Sequence, residues 1–196
     1  MIDRGYYSAK CLKSITDLFE ENNIKYWLEF GTLLGSYREG KIIDIDYDMD
    51  IGVFNHDSDK VKKLLEGKID ENKFNKLPLA KWIDNKVYQI DFHTFENVKP
   101  LWLDVYFFDI KDNYAYSSFL TKDNDVLKCK SNLRQLNNLE KIKLYDDFFY
   151  CPNNVPLYLK VRYGDNFYKK QSYCEKFNKQ WDSVDDNIGN EYLDVV

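Results

Sequence analysis

The segment IDYDMDIGVF (residues 45–54) places Asp46, Asp48 and Asp50 at every second position of an otherwise mostly apolar run. A period of two is strand periodicity, and it turns all three carboxylates to one face. Ionised carboxylates a few ångströms apart repel strongly, so a fold accepts such a face only where water or a cation screens it. Oxygen ligands at this density suit Mg²⁺, Mn²⁺ or Ca²⁺ rather than zinc. The plainer reading is a solvated acidic edge strand. A calcium loop of the EF-hand kind fits poorly. Counted from Asp46, its sixth position is Ile51 where glycine is required, and its twelfth is Asp57 where glutamate is required.

The residues upstream lift the functional reading. Ile24 to Phe30 (IKYWLEF) reads as a strand, rich in β-branched and aromatic residues. It leads into Gly31-Thr32-Leu33-Leu34-Gly35-Ser36-Tyr37-Arg38-Glu39-Gly40, a short helical stretch bracketed by glycines. Gly31 and Gly35 let backbone approach a ligand closely. N–H groups at the start of the turn, from Thr32 onward, can hold a phosphate, with Ser36 adding a hydroxyl. Arg38 can balance an anion in the same pocket. Downstream, Leu101 to Ile110 (LWLDVYFFDI) reads as a strand in which Asp104 sits among apolar neighbours, where a charge needs a reason. A metal partner would supply it. Alternation puts Asp104 on one face with Trp102, Tyr106 and Phe108. Asp91 is a weaker candidate, since Gln89 and His93 give its face a merely polar character.

Phosphoryl-group transfer consists largely of positioning and of neutralising charge on phosphate oxygens. The candidate metal ligands are therefore Asp46, Asp48, Asp50 and Asp104, and the candidate catalytic set is these four with Arg38. One of the carboxylates would accept the proton of an attacking hydroxyl.

The rest of the chain frames this site. Residues 8–23 predict an amphipathic helix through Leu12, Ile15, Leu18 and Phe19, ending at Asn22 and Asn23. Residues 58–66 suit a second helix and 86–95 a further strand. A turn is expected near 97–100, and 111–125 reads as a polar loop. Residues 126–150 are ambiguous. Asn154-Val155-Pro156 marks a helix start, and that helix would run to Tyr163 and stop at Gly164. A last helix is expected near 170–181. With 196 residues and no linker, the chain predicts a single domain over 1–196. Its core would cover about 1–125, with a mostly helical part at about 126–196.

A formal net charge of −5 argues against a nucleic-acid surface. It also means that a phosphate ligand needs an offsetting cation. The cysteines, Cys11, Cys129, Cys151 and Cys174, form no CxxC pair, and buried free thiols are the ordinary reading. His56 and His93 read as polar surface residues, and the four tryptophans as mostly core. The N-terminus has no apolar signal core and no stretch is apolar enough for a transmembrane segment. A cytoplasmic location is expected, with peripheral membrane contact left open.

The blocks Glu29 to Arg38 (EFGTLLGSYR) and Ile42 to Gly52 (IIDIDYDMDIG) together resemble the signature of the LicD/fukutin family. The resemblance continues through Asp104-Val105-Tyr106-Phe107-Phe108 and Cys151-Pro152 to Leu159-Lys160-Val161-Arg162-Tyr163-Gly164, and so covers about residues 24–167 in order. Asp44-Ile45 stands where the family has Pro-Trp, and Phe107 where it has proline. The resemblance implies an α+β, nucleotidyltransferase-like mixed sheet flanked by helices, with a small C-terminal helical part. It implies Mg²⁺ or Mn²⁺, and transfer of a substituted phosphate, such as phosphocholine or a polyol phosphate. The donor would be a CDP-linked alcohol and the acceptor a saccharide hydroxyl. The substrate-binding candidates are Gly31, Thr32, Gly35, Ser36 and Arg162; for Arg162, Tyr163 and Asp165, packing at the helix end is at least as good a reading as reaching the pocket. Two other readings stay open: a nucleotidyltransferase moving NMP from an NTP to a small acceptor, and a non-catalytic nucleotide- or metal-binding module.

Overall fold

Asp3 starts the first helix, its side chain accepting from the Gly5 and Tyr6 N–H groups. This helix, α1 (Arg4–Glu21), buries Ala9, Leu12, Ile15 and Phe19 along one stripe. It ends where Asn23 turns left-handed at φ 54°. Strand β1 (Tyr26–Leu28), wholly buried, feeds helix α2 (Phe30–Glu39), which stops at Gly40 with φ 65°. Strand β2 (Asp48–Phe54) follows, then a short 3₁₀ turn and helix α3 (Ser58–Lys68). Strands β3 (Leu79–Trp82), β4 (Val87–Phe92), β5 (Leu101–Lys111) and β6 (Tyr114–Leu120) come next. The C-terminal third carries β7 (Val126–Asn132), α4 (Leu133–Asn137), β8 (Glu140–Leu144), β9 (Asp147–Cys151) and α5 (Val155–Tyr163). The structure is a computed structural model, and it describes residues 3–44, 46, 48–68, 79–82, 87–92, 101–120 and 126–169.

Seven strands form one mixed sheet. Its main path is β1-β2-β5-β4-β3, with β6 joined to the far end of β5 and β7 to β6. Among the described residues, only β2 and β5 run parallel; the other pairs of this sheet are antiparallel. The parallel register sets Asp50 beside Asp104 and Asp48 beside Trp102. The β8–β9 hairpin is separate and packs against α1, α2 and β1. The core lies between the sheet and these elements. Trp27 is its widest plug, with Phe54 and Phe108 rings 5.1 and 5.3 Å away.

The α+β mixed sheet, the helix across 4–21 and the helix from Asn154 to Gly164 agree with the sequence reading. Three expectations need correction. The strand carrying the aspartates begins at Asp48, so Asp46 lies before it and does not share its pleat. Residues 111–125 do not form a loop throughout, because 114–120 is strand β6. Its inward positions include Ala115 and Ser117, too small and too polar to register as an apolar alternation. Residues 126–150 are chiefly strands, interrupted by the five-residue α4. The C-terminal part is therefore not mostly helical over its described residues, where α5 is the longest helix. The expected turn near 97–100, the helix at 170–181, and His93, Cys174 and Trp181 lie outside the described residues.

Candidate functional site

Asp48, Asp50 and Asp104 each offer a carboxylate oxygen, and these three atoms lie within 4.8 Å of one another. The parallel pairing of β2 with β5 produces this: Asp48 and Asp50 are two apart on one strand, and Asp104 faces Asp50 across the ladder. Asp50 and Asp104 are buried and Asp48 is half-buried. Gln89, opposite Asp104 on β4, donates from Nε2 to Asp104 Oδ1 at 2.8 Å and fixes that carboxylate. Such a compact all-oxygen set, open on the Asp48 side, could hold a hard divalent cation.

The electrostatics point the same way. Burial pushes the Asp50 carboxyl well above the usual carboxylate range, and Asp48, Asp46, Asp104 and Glu29 push it further. The neighbouring phenols of Tyr106 and Tyr163 are buried and also raised, first by burial and then by the charge of Asp50. Without a cation, burial and mutual repulsion both favour the protonated form of Asp50.

Asp46 sits beside the start of α2. A Cβ placed on Gly31 would meet Asp46 Oδ2 at 2.2 Å, so the absent side chain of Gly31 is the space this carboxylate uses. The other expected residues of α2 serve the site from behind. Thr32 Oγ1 accepts from the Asp50 N–H at 2.8 Å. Gly35 packs against the Lys41 carbonyl, 2.5 Å from where its Cβ would be, and so makes room for the chain itself. Ser36 is buried and donates to the Lys143 carbonyl at 2.9 Å, tying α2 to β8. Arg38 lies in the last turn of α2, about 9 Å along the axis from Thr32 at the usual rise per residue. It pairs loosely with Glu39 at 4.0 Å. Arg162 is drawn inward, into an ion pair with Glu29 at 3.0 Å. Asp165 pairs with Lys160 at the surface, and His56 stacks on Phe54.

Glu29 is the residue whose importance the sequence reading missed. It is 0% exposed and lies at the junction of β1 and α2. A charge closing the apolar run YWLEF was the available signal, of the same kind that singled out Asp104.

These features define a nucleotidyltransferase-like domain with a carboxylate cluster, and residues 23–154 match the LicD/FKTN/FKRP nucleotidyltransferase domain. The chain belongs to that family. It is 26% identical over 169 residues to the human ribitol 5-phosphate transferase FKRP, a match covering 81% of this chain and 31% of that protein. It is 44% identical over 54 residues to the uncharacterized protein RP689 of Rickettsia prowazekii, covering 28% of this chain and 20% of the relative. The chain thus spans a third or less of these relatives' lengths. The solution structure of the antibiotic-resistance factor ANT(2″)-Ia shares the fold with a TM-score of 0.53 and 10% identity, over 96% of this chain and 90% of that one. Among the described residues, no helix is long and apolar enough to cross a membrane.

Proposed function

We propose that this chain is a metal-dependent transferase that moves a substituted phosphate, phosphocholine- or polyol-phosphate-like, from a CDP-linked donor to a glycan hydroxyl. The observation that carries the reading is the convergence of Asp48, Asp50 and Asp104 to within 4.8 Å in a chain of this family. The FKRP relative, a ribitol 5-phosphate transferase, supports the choice of a polyol phosphate. Asp48, Asp50 and Asp104 would hold Mg²⁺ or Mn²⁺, which would offset the negative charge of the diphosphate. In the transfer, the acceptor hydroxyl oxygen bonds to the phosphorus that carries the alcohol. The bond from that phosphorus to the bridging oxygen breaks, and CMP leaves with the electron pair. A carboxylate of the cluster takes the hydroxyl proton. Gln89 keeps Asp104 from rotating, and Tyr106 flanks the cluster with a protonated phenol.

The test is a thermal-shift screen of CDP-linked alcohols, UDP-sugars and NTPs, with and without Mg²⁺ or Mn²⁺, followed by assay of released CMP. Stabilisation by metal together with a CDP-alcohol, and CMP release in the presence of a saccharide, are the expected results. Pyrophosphate from CTP with no CMP from any CDP-alcohol would overturn the donor assignment in favour of NMP transfer.

A further inference from the structure

Glu29 and Arg162 form a buried ion pair that the chemistry above does not use. Trp27 Nε1 donates to Glu29 Oε2 at 2.8 Å, and the Tyr158 hydroxyl donates to the same oxygen at 2.5 Å. Arg162 Nε donates to Glu29 Oε1 at 3.0 Å. The remainder of the guanidinium is engaged as well: Nη1 by the Lys130 carbonyl at 3.0 Å, and Nη2 by Ser131 Oγ at 2.7 Å and the Tyr158 hydroxyl at 2.9 Å. A buried ion pair is poor evidence of stability gained, because a well-packed apolar replacement is often as stable. Its worth therefore lies in what it fixes.

What it fixes is the backbone of Asp50. The Glu29 N–H donates to the Asp50 carbonyl at 3.0 Å, and Thr32 Oγ1 accepts from the Asp50 N–H. Both polar backbone atoms of Asp50 thus rest on the Glu29–Thr32 corner. Phe30, inside that corner, holds a φ of 40°, a strained value for a residue with a side chain. Its ring meets Tyr106 edge-on at 4.8 Å, and the Arg162 guanidinium lies 5.6 Å from the ring centre. Strain persists only where surroundings over-determine it, and here α5 supplies them. Trp27 completes the support. It lies over Gly52, two positions past Asp50, where a Cβ would come within 2.3 Å of the indole.

We infer that Arg162 and Tyr158 of α5, acting through Glu29, are positioning residues that hold Asp50 at ligand spacing from Asp48 and Asp104. The inference rests on the metal-dependent reading of that cluster. It gives Arg162 a part other than substrate contact, since its donors are turned to Glu29 and to β7.

The experiment uses the double variant Glu29→Gln/Arg162→Met, which removes both buried charges together and so leaves neither unpaired. Amide hydrogen exchange is measured at Glu29 and Asp50, and Mn²⁺ is titrated by thermal shift. The expected result is exchange at least tenfold faster at both amides, with the rest of the β2–β5 ladder unchanged, and at least a tenfold rise in half-saturating Mn²⁺. Arg162→Lys should recover part of both effects. A folded double variant with wild-type exchange at these amides would overturn the inference. Should the double variant not fold, Tyr158→Phe takes its place: faster exchange at Glu29 and Asp50 supports the positioning role, and unchanged exchange refutes it. Wild-type protein indifferent to Mn²⁺, yet showing the same exchange pattern, would remove the metal reading and keep the clamp.

Discussion

Asp50 is buried beside four other carboxylates, and its titration has a definite sign. Its carboxyl is raised above the ordinary 3.8 by burial first and by its acidic neighbours second. A group with a raised folded-state pKa contributes stability that is fully present below its unfolded value and is lost as pH rises through the folded one. Metal-free protein should therefore lose thermal stability as pH climbs above the ordinary carboxylate range. Added Mn²⁺ competes with the bound proton, so the melting-temperature gain it gives should grow with pH. Scans at several pH values with and without metal check this; a metal effect independent of pH would count against cation binding at Asp50. Asp48→Asn should abolish the gain at every pH. Asp104→Asn keeps the shape and the Gln89 contact but removes the charge, and should cost at least about 100-fold in CMP release while leaving the fold intact.

The elements divide into those that announced themselves and those that did not. Helix α1 was legible because its stripe of Leu12, Ile15 and Phe19 follows the helical period, and α5 because Asn154, Pro156 and Gly164 mark its ends. Strand β6 was hidden because a strand lined inward by Ala115 and Ser117 lacks the apolar alternation that identifies one. Of the site, Asp48, Asp50 and Asp104 could be read from sequence, since each is a charge in an apolar strand. The inward turn of Arg162 could not, because its partner Glu29 is distant in sequence and only packing joins them. Helix α2 offers a test at this scale. Gly35→Ala drives a Cβ against the Lys41 backbone carbonyl, which cannot swing aside, and should destabilise by about 1–3 kcal/mol in denaturant titration. Gly31→Ala meets the Asp46 carboxylate first, a side chain that can rotate away. It should cost less stability and change the activity more. Equal stability losses would mean that the two glycines do not have these separate tasks.

Across the whole molecule, the sheet order matters more than any single contact. Strand β5 is inserted between β2 and β4, and the parallel pairing of β2 with β5 brings Asp50 and Asp104 together from well-separated stretches of chain. Parallel pairing needs a long crossover, and such non-local contacts form late because loop closure must come first. No unfolded or half-folded chain presents the three carboxylates as a set. A divalent cation held by this cluster would act on the clock of unfolding rather than of folding: it should lengthen the lifetime of the native state while leaving the refolding rate nearly unchanged, as binding to the native state alone requires. Stopped-flow refolding and unfolding in Mn²⁺ and in chelator would show it, and refolding accelerated by Mn²⁺ would mean that the cluster forms before the sheet closes. The same insertion of β5 that builds the site would also make it a timer, since a cation that binds there has to wait until the sheet is complete.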